Sequence, residues 1–257
     1  MGADVKALLH VHSTFSYDGE STLAELAAWG RRRGLEAIFL SEHVNDFDET
    51  KMRRLVAECA ALRGSGAELV PGLEFAVRGG FHLLGYGVAT FRAEADPAEA
   101  VRFIQGQGGV AVLAHPIRYR GRWPAPEVLR VMNGIEVWNA RYDGRFFPSG
   151  DVMSAFRTRC DEWDAVHPFG GQDLHVVTSN RLVATEASGA GSADEMLDHL
   201  RLGQAQFGAQ PVRVSMASRP GRLTIACARG LHRGYRLART IRDRVARTRP
   251  VPPAEES

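Results

Sequence analysis

Lysine is almost missing from this 257-residue chain: of 32 basic residues only Lys6 and Lys51 are lysine, and the rest are arginine. Cysteine is scarce too. Cys59, Cys160 and Cys227 are far apart, odd in number and never in a C-x-x-C pair. That excludes a disulfide framework and a thiolate zinc site, and it predicts reduced, mostly packing cysteines in a cytoplasmic protein. No run approaches the roughly 20 apolar residues that cross a bilayer, so no transmembrane segment is expected. The first residues lack a basic region followed by an apolar stretch, so no signal peptide is expected either. Met1-Gly2 begins a myristoylation motif, but Lys6 stands where that motif needs Ser or Thr. Internal repeats and low-complexity tracts are also missing.

What remains is the composition of a soluble globular protein, 44% hydrophobic and 24% charged. Its length suits one large domain or two small ones. The net charge of +2 conceals an asymmetry: residues 211–257 hold 11 Arg and 3 acids, or +8, which leaves −6 for residues 1–210. An acidic body suits a site of carboxylates that binds cations. A basic tail, when it is more than a solvated one, suits an anionic partner, a membrane face or a nucleic acid.

Short apolar runs alternate with helical patterns. Strands are predicted at residues 5–11, 37–40, 69–75, 81–88, 110–114, 135–138, 167–171 and 182–185. Helices are predicted at residues 22–34, 49–62, 97–107, 124–132, 151–166 and 192–203, the first opened by Ser21-Thr22 and the last by a Ser192–Glu195 capping box. Such alternation implies a largely parallel sheet with helices outside, and both a barrel and a doubly wound sheet satisfy it. Beyond Gln210 the pattern changes. Residues 212–216 and 223–228 read as strands, or as a strand and a helix start. Residues 231–247 read as an Arg-rich helix, and residues 250–257 as a disordered end. The expected division is 1–210 for the catalytic body and 211–257 for a basic extension.

Polar residues gather where apolar runs end. His10 and His12 close the first run, Glu42 and His43 follow the second, and Glu74 follows the third. His82 opens the fourth, His115 ends the fifth, Glu136 and Asn139 accompany the sixth, and Asp173 and His175 follow the seventh. In parallel α/β folds the carboxyl ends of strands share one edge, where sites form. Residues i and i+2 of a strand point to one face, so His10 with His12, and Asp173 with His175, can each chelate one ion. His10, His12, Asp18, His43, Glu74, His82, His115, Asp173 and His175 make nine candidate metal ligands. That mixed set suits Zn²⁺, Mn²⁺ or Fe²⁺ and is large enough for two or three ions. A lone histidine or H-x-H means little; the joint pattern carries the reading, since burying so many polar groups without a cation is costly.

In order and spacing these motifs resemble the PHP family, named for polymerase and histidinol phosphatase. Leu9-His10-Val11-His12-Ser13 through Asp18-Gly19 is similar to its opening motif. Ser41-Glu42-His43, Pro71-Gly72-Leu73-Glu74, Ala114-His115-Pro116 and Gly171-Gln172-Asp173-Leu174-His175 resemble the later ones, over residues 5–186. The resemblance implies a distorted (β/α)₇ TIM-like barrel with a trinuclear centre. On it, His10, His12, Glu74 and Asp173 hold one ion, and Glu74 bridges to a second, joined by His115. Asp18, His43 and His175 complete the first and third positions. His82 matches a ligand histidine of the family's smaller phosphoesterases. Two departures stand out: Glu42 replaces the usual Asp, and Gln172 and Leu174 flank Asp173 where small residues are usual. Neither deletes a ligand.

The expected activity is hydrolysis of phosphate esters by a metal-bound hydroxide, with a phosphorylated small molecule as substrate. His43 or His175 would protonate the leaving alkoxide where not engaged as a ligand. Arg118, then Arg141, then Arg78 are the candidate phosphate binders. Two alternatives remain: a nuclease whose basic tail tracks a phosphate backbone, and a non-catalytic metal-binding module.

Overall fold

The computed structural model describes residues 4–45, 47–144, 146–159, 166–177 and 181–247, with side chains as far as residue 235. Its first half runs β1 (Val5–Val11), α1 (Leu23–Arg32), β2 (Ala37–Leu40), β3 (Glu42–His43), α2 (Glu49–Ala61), β4 (Glu68–Val70), β5 (Gly72–Val77) and β6 (Phe81–Tyr86). Next come α3 (Pro97–Gly106), β7 (Val110–Leu113), a 3₁₀ turn (Pro116–Tyr119), α4 (Pro126–Val131), β8 (Gly134–Asn139) and α5 (Gly150–Arg159). The last elements are β9 (His167–Gly171), β10 (Ala184–Ala187), α6 (Ala193–Leu202), β11 (Gln206–Ala209), β12 (Val212–Ser215) and α7 (Arg222–Arg247).

Local chemistry sets the helix starts. Thr22 accepts from the Glu25 amide while Glu25 accepts from the Thr22 amide, a reciprocal capping box. Asp48, Asp96 and Ser192 cap α2, α3 and α6, each satisfying amides that the first helical turn leaves unpaired. The helix expected over 151–166 is described as far as Arg159, and its remainder lies outside the described residues. The predicted disordered end, 250–257, also lies outside them.

The strands form two six-stranded sheets, ordered β12-β11-β10-β1-β2-β4 and β3-β5-β6-β7-β8-β9. Both are mixed, which corrects the expectation of a largely parallel sheet. β1, β2 and β4 are parallel, as are β7, β8 and β9, but β6 runs antiparallel to both its neighbours and β10–β12 form an antiparallel edge. The Arg78-Gly79-Gly80 connection between β5 and β6 is too short for a parallel crossover. β11 was not foreseen; its four residues include a glycine and only one large apolar side chain, Phe207.

The sheets adjoin at two places. The chain passes almost directly from β2 into β3 and from β4 into β5. On the other side, Gln172 N–H donates to Leu9 O at 2.9 Å, Leu174 N–H to His10 O at 3.1 Å, and His12 N–H to Leu174 O at 2.8 Å. Leu8, Leu9, Phe39, Leu73, Leu84, Val112, Ile135, Trp138 and Phe169 fill the core beneath. Each large side chain so buried contributes about 1.5–3 kcal/mol.

The segment after residue 210 begins inside a sheet, since β12 pairs with β11. Residues 223–228, left open between strand and helix, are the first turns of α7, which packs on α5. Among the described residues no helix is long and apolar enough to cross a membrane.

Candidate metal centre

All nine predicted ligands converge at the ends of the strands. β1 supplies His10, with His12 directly after its end, β3 His43, β5 Glu74 and β6 His82. His115 follows β7, Asp173 and His175 follow β9, and Asp18 sits on the loop after β1. The plain-pleat argument for His-x-His needs correcting. β1 bulges between Leu8 and Val11, and His10 has φ +61°. His115 and Asp173 are also left-handed, at +30° and +52°. Non-glycine residues there cost on the order of 1–3 kcal/mol each, a strain that clusters at functional sites. The backbone distorts to aim these side chains inward.

Glu74 lies at the centre. Its Oε2 is 3.3 Å from His10 Nε2, 3.3 Å from His12 Nε2 and 3.4 Å from His43 Nδ1. Its Oε1 is 3.1 Å from His115 Nε2 and 2.5 Å from His82 Nδ1. Asp173 Oδ1 lies 3.8 Å from His10 Nε2 and 3.4 Å from His175 Nδ1. Asp18 Oδ2 is 3.0 Å from His175 Nε2, and Asp18 Oδ1 is 3.4 Å from His43 Nε2. Three overlapping groups have donor atoms within 4.8 Å of one another: His12, Asp18, His43 and His175; His10, His12 and Asp173; His10, Glu74 and His115. Two donors that sit 2.0–2.2 Å from one tetrahedral ion lie roughly 3.4 Å apart, which matches these separations.

Hydrogen bonding fixes how the central histidines face. His10 Nδ1 donates to Glu136 Oε1 at 2.8 Å, which turns Nε2 toward Glu74 Oε2 at 3.3 Å. Ser16 commits its hydroxyl proton to Glu42 at 2.5 Å, so His12 Nδ1 donates to Ser16 Oγ at 3.3 Å. His12 Nε2 is left buried without a hydrogen-bond partner, as is Asp18 Oδ1. Unpartnered polar atoms buried in a cluster of histidines and carboxylates are an arrangement that a shared cation relieves.

Titration follows the same logic. Burial alone would lower the His10 pKa, but Glu136 and Asp173 hold it well above the usual range. Burial would raise Glu74, but hydrogen bonds from His10, His115, His12 and His82 pull it well below the usual carboxylate range. His43 is pushed down to about 4 by burial, partly opposed by Glu74 and deepened by His12. His175 is likewise lowered, chiefly by burial. His43 is therefore neutral at pH 7, and the same cause favours the neutral form of His175.

The arginines divide. Arg141 Nη1 lies 2.6 Å from His175 Nδ1 and 3.5 Å from Asp173 Oδ1 at the mouth. Arg118 stacks over Tyr142, 4.9 Å from its ring centre, and Tyr142 in turn lies 5.3 Å from His115. Arg78 is elsewhere engaged: it pairs with Asp96, the cap of α3.

Three supporting residues were not foreseen as such. Glu136, fully buried on β8, accepts from His10, from the His115 amide at 2.7 Å and from Asn139 Nδ2 at 3.0 Å. Asn139 also donates to Asp173 at 3.2 Å. Glu42, standing where Asp is usual, accepts from the Ser13 amide and hydroxyl and from Ser16, so it braces the loop that holds His12. A carboxylate inside the apolar run Gly134–Asn139 was the available signal for Glu136.

A mixed α/β scaffold whose strand ends hold clustered histidines and carboxylates suggests divalent metal binding. The PHP domain family matches residues 9–147, more than half of the chain. The chain belongs to that family. Among curated relatives, an error-prone DNA polymerase of Symbiobacterium thermophilum is 36% identical over 76 residues, which cover 29% of this chain and 6% of that protein. Two solved structures share the fold. One is a candidate metal-dependent phosphoesterase from Bifidobacterium adolescentis, with a TM-score of 0.53 and 16% identity over 76% of this chain and 96% of that one. The other is PsfC from Pseudomonas syringae PB-5123, with a TM-score of 0.58 and 14% identity over 91% of this chain and 99% of that one. Family and clusters together suggest a metal-dependent hydrolase.

Proposed function

We propose that this protein is a metal-dependent phosphoesterase acting on small phosphomonoesters. One observation carries the reading: the three interlocked His/carboxylate groups whose donor atoms lie within 4.8 Å of one another, with His12 Nε2 buried and unpartnered among them. His10, His12, Glu74 and Asp173 would hold one ion, Glu74 and His115 a second, and Asp18, His43 and His175 would complete the set for two or three. His82 would join through Glu74. Cations there would polarise a phosphoryl group and lower the pKa of the water they bind.

The chain's own residues do the rest. Arg141 and Arg118 stand at the mouth as donors for non-bridging phosphate oxygens. His43 and His175 would serve as ligands, and whichever of the two is not engaged by an ion would protonate the leaving alkoxide. Glu136 and Ser16 hold the Nδ1 sides of His10 and His12, so that each Nε2 is aimed inward. A seven-stranded barrel accounts for the convergence: β1, β2 with β3, β4 with β5, β6, β7, β8 and β9 form a ring that the β9–β1 hydrogen bonds would close. Residues 1–210 would form its body, and the basic segment 211–257 an extension.

The test is hydrolysis of p-nitrophenyl phosphate and of bis-p-nitrophenyl phosphate, with and without a chelator. The reading predicts turnover of the monoester that the chelator abolishes and added Mn²⁺ or Zn²⁺ restores. Chelator-resistant turnover, or none with any metal, contradicts it.

A further inference from the structure

We infer that the C-terminal helix α7 is a positioning element of the active site, holding the rim turn that carries Arg141 and Tyr142. The family match ends at residue 147, so α7 lies wholly outside it. Yet α7 reaches that rim. His232 Nε2 donates to the Asp143 carbonyl oxygen at 2.5 Å, and the Tyr235 ring lies 6.2 Å from Phe146. Below them, Arg229 pairs with Asp151 at 2.8 Å, and the helix comes so close to α5 that a Cβ on Gly150 would lie 2.7 Å from the Arg229 amide nitrogen.

The rim turn is short and internally braced. The Asp143 side chain accepts from the Asn139 amide at 2.7 Å, and the Asp143 amide donates to Asn139 O at 2.8 Å. Asn139 Nδ2 touches Glu136 and Asp173. Between these anchors stand Arg141, beside His175 and Asp173, and Tyr142, beneath Arg118. A continuous set of contacts thus runs from His232 through Asp143 and Asn139 to the carboxylate Asp173. Asn139, Ala140 and Asp143 are buried while Arg141 and Tyr142 are exposed, so His232 adds, from outside the turn, a tether on the Asp143 carbonyl beside the two exposed side chains. The basic extension then has a role that requires no nucleic acid or membrane.

The inference rests on the proposed phosphoesterase reading for its kinetic readout, but not for its structural one. The experiment compares wild type, His232→Ala and His232→Gln in the full-length metal-loaded protein. Gln keeps a donor of similar reach. Kinetics on p-nitrophenyl phosphate, metal content and hydrogen exchange over residues 139–144 are measured together. Loss of one hydrogen bond to the carbonyl predicts a rise in KM of about threefold to tenfold for His232→Ala, with metal content unchanged. Exchange at the Asn139 and Asp143 amides should accelerate, and His232→Gln should restore both. Unchanged exchange in His232→Ala overturns the inference, as does a fall in kcat and metal content with KM unmoved. If wild type fails to hydrolyse phosphoesters while the exchange effect appears, the phosphoesterase reading fails and the tether stands.

Discussion

Gly171→Ala should dismantle the centre without touching a metal ligand. A Cβ on Gly171 would lie 1.7 Å from Glu136 Oε1 and 3.1 Å from His10 Cβ. Glu136 has nowhere to yield: it is fully buried and accepts from His10 Nδ1, the His115 amide and Asn139 Nδ2. Displacing it breaks contacts to a charged acceptor worth about 1.5–3 kcal/mol each, and leaving the carboxylate unpaired costs about 3–5 kcal/mol. At roughly 2–4 °C per kcal/mol for a chain of this size, the midpoint should fall by about 6–20 °C. Differential scanning calorimetry and elemental analysis on the same preparation read both effects, and metal content should fall with Tm. The Glu136→Ala background isolates the cause, because there the added methyl has no carboxylate to strike and should cost little. A Gly171→Ala protein with wild-type Tm and full metal content would refute the role given to Glu136.

Three further predictions follow from the same geometry. Arg141→Ala should raise KM for a phosphomonoester by roughly 10- to 150-fold, the value of a charged contact of about 1.5–3 kcal/mol, with little loss of metal; steady-state kinetics showing an unchanged KM would remove Arg141 from substrate binding. Ser16→Ala frees the buried Glu42 oxygen and His12 Nδ1, so denaturant titration should show a loss of about 1–3 kcal/mol. In metal-free protein the unfolded chain binds a proton at His43 near pH 6.5 but the folded one only near 4, so His43 removes stability as pH falls across that window and nothing further below it. His43→Gln should flatten that part of the pH–Tm curve; identical slopes in the two proteins would contradict the lowered pKa.

Much of this was readable in the residues, for identifiable reasons. Strands and helices with strong periods, such as β1, α1 and α6, fall within a residue or two of their predicted bounds, because side-chain spacing and caps are local properties. That the nine candidates gather in one place was readable because so many histidines and carboxylates end separate apolar runs, and the ends of neighbouring strands share one edge. The direction of β6 and the existence of β11 were not readable, since pairing is decided by partners distant in sequence. Nor was the bulge at His10, where the ligand geometry overrides the pleat. Arg78 stands near a motif in sequence, but the cap of α3 takes it first. Glu136 was visible as a buried carboxylate, but its hold on His10 and His115 appears only once β8 is placed beside them.

The most direct measurement is metal content per chain, by elemental analysis, for wild type and for His12→Ala. Convergence of distant residues on shared cations predicts two or more equivalents of transition metal in wild type, and in His12→Ala, which removes the donor common to two of the three groups, at least one equivalent fewer. Wild-type protein that binds no transition metal even after incubation with Mn²⁺, Zn²⁺ or Fe²⁺, or a His12→Ala variant with undiminished content, would contradict it.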